Sequence, residues 1–172
     1  MEITKEQLQA IMPSANVGKY INYINGYADK FKINTTLRMA HYLAQIAHES
    51  CEMRYTKELA SGRAYEGRKD LGNTHKGDGV RFKGRGLIQI TGRANYEAYK
   101  KYCGYDVVAQ PELLERPLGA VKSSMWYWQQ HGLNELADED NSLQITRVIN
   151  GGVNGLLSRQ NYLRKAKAVL GT

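Results

Sequence analysis

The chain has 172 residues, 42% of them apolar, with 24 Lys and Arg against 17 Asp and Glu and a formal net charge of +7. This length suits one domain with a substantial core, and the lack of any run of about 18 apolar residues excludes a helical membrane span. The excess of positive charge points to an anionic partner, and nucleic acid, an anionic membrane and an anionic cell wall all fit it.

The opening segment MEITKEQLQA lacks the basic-then-apolar layout of a secretory leader. Synthesis in the cytoplasm is expected, with release by another agent if the protein acts outside. Thr4 and Gln7 have the spacing of a capping box, which predicts a first helix to about Met12. Asn16 is the candidate cap of a second helix carrying Val17, Tyr20, Ile21, Ile24 and Tyr27. Residues 1–34 are thus expected to supply helices that cover one side of the core. Asn34–Thr36 offers caps for a central helix. On its wheel Leu37, Ala40, Leu43, Ala44, Ala47 and Cys51 share one side. No charged residue lies between Arg38 and Glu49, so this helix is expected to be buried on most sides. An acid carried at its end, Glu49, should lose solvation, which favours the protonated form a general acid requires.

From Arg54 to Gly86 the chain is rich in Gly, Arg, Asp and Asn. This predicts a long loop region with one short helical turn and a short hairpin, and loops of that length are functional or disordered. Tyr55, Leu59, Tyr65, Leu71 and Phe82, interleaved along it, point to order. Leu87–Ile90 is a short apolar run, and Thr91 is the candidate cap of a helix to about Tyr102. Pro111 and Pro117 sit where first helical residues belong. Pro117–His131 reads as an amphipathic helix with Val121, Met125, Trp126 and Trp128, whose tryptophans suit the core better than a sugar platform. A short segment Leu133–Ala137 follows. Ser142 is the candidate cap of a helix that Gly151–Gly152 ends. The last helix, Gly155–Leu170, should turn Leu156, Leu163, Ala166 and Val169 inward and Arg164, Lys165 and Lys167 outward. Cys51 and Cys103 are too few for a disulfide scaffold, and two reduced, packed thiols are expected.

Three constellations bear on chemistry. His48-Glu49 opens like a zinc-protease motif, but the second histidine of H-E-x-x-H is missing, and His41 and His48 read as core histidines. Lys83-Gly84-Arg85-Gly86 is basic and Gly-rich without phosphate-loop spacing or a nucleic-acid-binding motif. The third is a pair of acids. Glu58 follows Glu49 beyond a turn, so a chain folding back can bring the two across a groove. Inverting glycosidases hold two carboxyls roughly 6.5–9.5 Å apart, with room for a water between them. On spacing alone Glu52 and Glu66 rival Glu58 as the base.

A set of ordered blocks runs from Ala40 to Tyr162: His48-Glu49-Ser50; Glu58; Ser61-Gly62-Arg63-Ala64-Tyr65-Glu66-Gly67-Arg68; Asp70-Leu71-Gly72-Asn73-Thr74; Gly84-Arg85-Gly86-Leu87-Ile88-Gln89-Ile90-Thr91-Gly92-Arg93, then Asn95-Tyr96; and Ile149-Asn150-Gly151-Gly152. Together they resemble the family 19 glycoside hydrolases, the chitinase-like group, and within it the bacterial and phage branch that includes endolysins. The resemblance implies Glu49 as general acid and Glu58 as general base. Thr91 stands where plant chitinases have a serine that helps hold the nucleophilic water. Gln89 and Asn95, with Tyr96 beside them, match substrate-contacting positions of the cleft, and Asn150 a substrate-binding or water-positioning asparagine. Arg159, with Tyr162 three residues on, matches an arginine of the network around the acids, and is counted with the substrate-binding set. The implied fold is mainly α and lysozyme-like. It has two lobes about a cleft, a long loop region and at most a small β-hairpin, with residues 1–172 forming a single catalytic domain and no separate wall-binding domain. Asn154 stands where plant enzymes carry a glutamate, the plant disulfides are absent, and Thr91 replaces serine. These departures bear on chitin specificity more than on catalysis.

The leading reading is an endolysin-type lysozyme that cleaves β-1,4 bonds of peptidoglycan with inversion and so lyses bacteria, acting on the wall after release. A chitinase is the alternative. A non-catalytic wall- or membrane-binding protein, using the basic last helix with Arg159, Arg164, Lys165 and Lys167, is a second alternative. No cofactor and no metal are expected. The expected partners are peptidoglycan and, through the basic last helix, an anionic outer-membrane surface. No nucleic acid is expected, and the chain should be a monomer.

Overall fold

The computed structural model describes all 172 residues. It is built of helices: α1 (Lys5–Ile11), α2 (Val17–Ala28), α3 (Thr36–Glu49), α4 (Asp78–Arg81), α5 (Arg93–Cys103), α6 (Pro117–Gln130), α7 (Leu133–Asp138), α8 (Ser142–Asn150) and α9 (Leu156–Leu170). Short 3-10 turns stand at Arg63–Tyr65, Lys69–Leu71 and Pro111–Glu115. The hairpin expected in the long loop is not formed. Only isolated bridges occur, Lys57 with Arg85 and Arg85 with Ile90.

The uncharged stretch of the central helix is buried as expected. Every residue from Met39 to Ala47 is inside, and α9 packs along α3, with α1, α2, α6, α7 and α8 completing the layer around them. The Thr35 hydroxyl accepts the Arg38 N–H at 3.1 Å and caps the helix, a contact worth about 1 kcal/mol. Inside, polar groups are paired. The Tyr42 hydroxyl meets Ser124 Oγ at 2.6 Å, and the Trp128 indole N–H donates to Asn134 at 2.9 Å. Trp128 is fully buried, and neither tryptophan lines a cleft. His41 is a core histidine, its Nε2 2.6 Å from Asp140. Burial pushes its pKa down from the ordinary histidine value.

The apolar residues form two clusters. The larger surrounds α3. The smaller joins Phe82, Ile90, Tyr96, Tyr99, Val107 and Leu114, and Trp126 and Tyr127 pack against both. The chain crosses from one to the other at Leu87–Ile90, where Leu87 and Ile88 belong to the first and Ile90 to the second. Gln89, between them, is exposed. The two lobes implied by the resemblance are these two clusters, and the residues at their junction line the cleft described below.

Polar contacts order the long loop more than the interleaved apolar side chains do. Tyr55 and Leu59 are exposed, and of the apolar residues marked in sequence only Phe82 is fully buried. Asp78 is buried and takes both Arg93 nitrogens at 2.8 and 2.9 Å. This pair holds the Asp78 carboxyl below the usual carboxylate range. Asn73 accepts the Arg93 N–H at 2.8 Å and donates to the Tyr65 carbonyl at 2.9 Å. Asn73 therefore supplies, from the loop, the cap expected from Thr91. Gly92, not Thr91, occupies the cap position of α5, without a side-chain bond. Likewise Asn141, not Ser142, caps α8, and Asn16 makes no capping bond to α2.

The expectation of two packed thiols holds only in part. Both cysteines are free, but Cys51 is exposed. It opens a run of three non-glycine residues, Cys51, Glu52 and Met53, with φ of 50, 62 and 61°. Each left-handed residue of this kind costs on the order of 1–3 kcal/mol and persists only where its surroundings impose it. Here Ser50 imposes it, its hydroxyl donating to the Ile46 carbonyl at 2.5 Å and accepting the Met53 N–H at 2.8 Å.

Candidate active site

A hollow of about 400 Å³ opens where the two clusters meet, lined by Glu49, Tyr65, Ile88, Gln89, Thr91, Tyr127, Ile149 and Asn150. Each wall follows from local sequence. Glu49 is the last residue of α3 and Asn150 the last of α8. Gln89 lies in the turn over residues 86–89 that the Arg85–Ile90 bridge closes, and Thr91 follows directly on it.

Glu49 is clamped from behind. Its Oε1 is buried and lies 2.6 Å from an Arg159 terminal nitrogen. The contact is an ion pair by distance, with no N–H aimed along the line to the oxygen. Arg159, only 2% exposed, also donates to Gln45 Oε1 at 2.7 Å and to the Asn154 carbonyl at 3.2 Å. Gln45 in turn donates to Thr146 at 3.3 Å. The carboxyl therefore has one oxygen fixed inside, while the rest of the side chain faces the cleft. Arg159 was grouped with the substrate contacts in sequence. It is instead buried behind Glu49 and does not line the cleft.

Glu58 is held one bond back from the cleft. The Tyr65 hydroxyl donates to its Oε2 at 3.0 Å, and the Gly84 N–H to its Oε1 at 2.6 Å. Its own N–H donates to the Gly84 carbonyl at 2.9 Å. Both oxygens thus receive a donor, which an ionised, acceptor-only carboxylate satisfies while keeping a free lone pair on each. Burial and the bond to Glu58 push the Tyr65 phenol above its ordinary value, so it remains a donor. A Cβ on Gly84 would meet the end of the exposed Gln89 side chain, which would have to move aside. The Gly84-Arg85-Gly86 block is accordingly a support for the acid, and Arg85 turns inward to Glu115 at 2.8 Å and to the Tyr96 hydroxyl at 3.0 Å.

The rival bases are engaged elsewhere. Glu52 accepts from the Ser14 N–H at 2.8 Å and from the Tyr162 hydroxyl at 2.7 Å. Glu66 closes the loop by accepting the N–H groups of Gly77 and Gly79, each at 2.8 Å. Two expected substrate contacts also fall outside the cleft. Tyr96 is fully buried in the smaller cluster, its hydroxyl donating to the Lys83 carbonyl at 2.5 Å. Asn95 is exposed on α5 and donates to the Thr91 carbonyl at 2.8 Å. Gln89, Thr91 and Asn150 do line the cleft.

Two lining residues were not singled out in sequence. Tyr65 sat unmarked as chemistry in the loop, although its place in a Gly-rich segment next to an acid was a signal. Tyr127 gave none, since it lies on a helix face between two tryptophans. Burial, with a smaller contribution from Glu49, pushes its phenol up to about 12. His48 lies behind the cleft, with Nδ1 3.0 Å from Ser158 Oγ. Its pKa is lowered by burial first and by Arg159 second. Gly155, at φ 75°, faces the His48 ring with no room for a side chain.

Removing the Tyr65 hydroxyl deprives Glu58 of one of two donors. A hydrogen bond to a charged group contributes about 1.5–3 kcal/mol. Tyr65→Phe is expected to lower kcat roughly tenfold or more with little change in KM, read from steady-state kinetics on a soluble glycan.

The seam between the two lobes thus carries a cleft lined by one carboxylate, hydroxyls and amides, with a second carboxylate, Glu58, tied to its wall through Tyr65. A family model described as chitinase class I, glycoside hydrolase family 19, matches residues 24–142. A glycosyl hydrolase family 19 domain-containing protein of Haemophilus influenzae is 32% identical over 95% of this chain and 95% of its own length. Endochitinase At2g43620 of Arabidopsis thaliana is 34% identical over 77% of this chain, which spans about half of that enzyme (48%). The fold of chitinase C from Streptomyces griseus superposes with a TM-score of 0.83 at 23% identity, covering 99% of this chain and 77% of that one. The chain belongs to glycoside hydrolase family 19, and it is a glycoside hydrolase.

Proposed function

We propose that the chain hydrolyses the β-1,4 bonds between N-acetylmuramic acid and N-acetylglucosamine in peptidoglycan, as an endolysin-type lysozyme acting on the wall after release. The observation that carries the catalytic half of this reading is one small hollow bordered by Glu49 and by Tyr65, which in turn holds Glu58. In the reaction Glu49 gives its proton to the glycosidic oxygen as the bond breaks. Glu58 takes a proton from a water that attacks the anomeric carbon from the opposite face, with the Thr91 hydroxyl steering that water. The product carries the inverted configuration. Gln89 and Asn150 hold sugar substituents in the hollow. The net charge of +7 supports a wall polymer bearing carboxylates and phosphates over neutral chitin.

The endochitinase relatives favour a second reading, hydrolysis of chitin. Membrane insertion through α9 has little support. Its inner side, with Arg159, Leu163 and Ala166, is occupied against the core, and Lys167 pairs with Asp140 at 2.5 Å.

Mass spectrometry of fragments from digested sacculi tests the proposal. Reducing-end N-acetylmuramic acid is the expected product. Reducing-end N-acetylglucosamine changes the bond assigned, and anhydro ends indicate a lytic transglycosylase. Colloidal chitin degraded faster than sacculi would overturn the peptidoglycan reading in favour of a chitinase.

A further inference from the structure

A second polar hollow, of about 430 Å³, shares no lining residue with the catalytic cleft. Ser14, Glu52, Ser158, Asn161, Tyr162 and Lys165 line it. It is joined to the catalytic helix twice over. Glu52 stands in the turn that follows Glu49, and Ser158 is the hydrogen-bond partner of His48.

The left-handed run Cys51–Met53 brings the Glu52 carboxylate into this hollow rather than into the cleft. There it is fixed by the Ser14 N–H and the Tyr162 hydroxyl, one on each oxygen, and each oxygen keeps a second lone pair. Lys165 has no acidic partner. Its ammonium reaches only the Ile11 carbonyl, at 3.4 Å, and the Tyr162 ring, 5.7 Å from the centroid. A held anion and an uncommitted cation thus face one space, beside the neutral polar side chains of Ser158 and Asn161. A neutral sugar can hydrogen-bond to both groups but carries no charge to compensate either. A ligand carrying both an ammonium and a carboxylate matches them together, through charge-assisted hydrogen bonds.

We propose that this hollow binds a zwitterionic amino-acid residue of a peptide attached to the glycan, its free ammonium against Glu52 and its free carboxylate against Lys165. The proposal rests on the peptidoglycan reading, since wall glycans carry peptide side chains and chitin does not. It makes the hollow a determinant of substrate choice that leaves the chemical step untouched.

The test compares wild type, Glu52→Gln and Lys165→Met on soluble wall-glycan strands with their peptides intact and on the same strands stripped by an amidase. Lys165→Met and Glu52→Gln are each expected to lower kcat/KM about three- to tenfold on peptide-bearing strands, the range for charged pairs at a partly exposed site. On stripped strands all three proteins should be equal. Equal losses on both substrates, or no loss on either, overturn the proposal. Lys165 is exposed, so Lys165→Met keeps the test alive if Glu52→Gln fails to fold. Titration of the wild-type chain with a free peptide containing a diamino acid, followed by amide chemical shifts, adds an independent reading. Shifts at Ser14, Glu52 and Lys165 are expected, and their absence counts against the site. A wild type that cleaves neither kind of strand would sink the peptidoglycan reading itself, while the peptide titration would still judge the hollow.

Discussion

Glu49→Gln is expected to lower kcat by about 10²–10⁴-fold on sacculi, the range for loss of a general acid or base, with KM little changed. Glutamine keeps the shape and an acceptor toward Arg159 but carries no proton to give. Glu58→Gln should show a loss of the same order for the opposite reason, because the amide cannot take a proton from water. An aryl glycoside with an acidic phenol separates the two roles. Such a leaving group needs no protonation, so Glu49→Gln should recover much of its activity on it, whereas Glu58→Gln should not. Wild-type turnover in either variant would remove that residue from the mechanism. Glu52 and Glu66 offer no replacement, since both are tied to backbone N–H groups away from the cleft.

Arg159→Met is expected to destabilise the fold by about 3 kcal/mol or more, because buried acceptors on Gln45 and the Asn154 carbonyl lose their donor and Glu49 Oε1 its neighbour, each such group costing about 1–3 kcal/mol. The buried guanidinium serves three groups at once, lying 2.6 Å from Glu49 Oε1 and donating to Gln45 Oε1 and the Asn154 carbonyl. Methionine fills much of the volume and serves none of them. Native domains have only about 5–15 kcal/mol in hand, so in this variant loss of fold and loss of catalysis coincide. Arg159→Lys retains the charge while a single ammonium cannot reproduce the planar fork. It should fold with a smaller loss and show a kcat deficit from a misplaced Glu49. Denaturant unfolding with an unchanged m-value reports the stability difference. A loss below about 1 kcal/mol for Arg159→Met would show that the pair is not structural, since that is the range of exposed ion pairs.

Much of this site was legible before the fold. Glu49 could be marked because a helix free of charge ended in an acid, and the ordered blocks named Glu58, Gln89, Thr91 and Asn150. The expected residues that fall outside the hollow share a cause. Tyr96 and Asn95 sit in the same block as Gln89 and Thr91, but they lie on α5, past Gly92, where the helix turns them into the smaller cluster and out to solvent. Thr91 looked like a cap because cap residues precede helices, whereas the donor it would have served is taken by Asn73, twenty residues earlier in the chain. Tyr127 stayed hidden because an amphipathic pattern says only that a face is apolar, not which neighbour it meets.

The sequence by itself determined the helical class, the burial of α3, the proline starts at Pro111 and Pro117, and the family. The first three depend on periodicity, on missing charge and on local backbone preference, carried by residues near one another in the chain, and the family on ordered blocks from Ala40 to Tyr162. Only the tertiary structure decided that Glu58 is tied to the wall of the cleft that Glu49 lines, that Arg159 stands buried behind Glu49, and that Glu52 turns into a separate hollow. Those outcomes depend on pairings between residues far apart in the chain, 114 positions in the case of Gln45 and Arg159. Such pairings follow from how helices pack, and no local pattern specifies them.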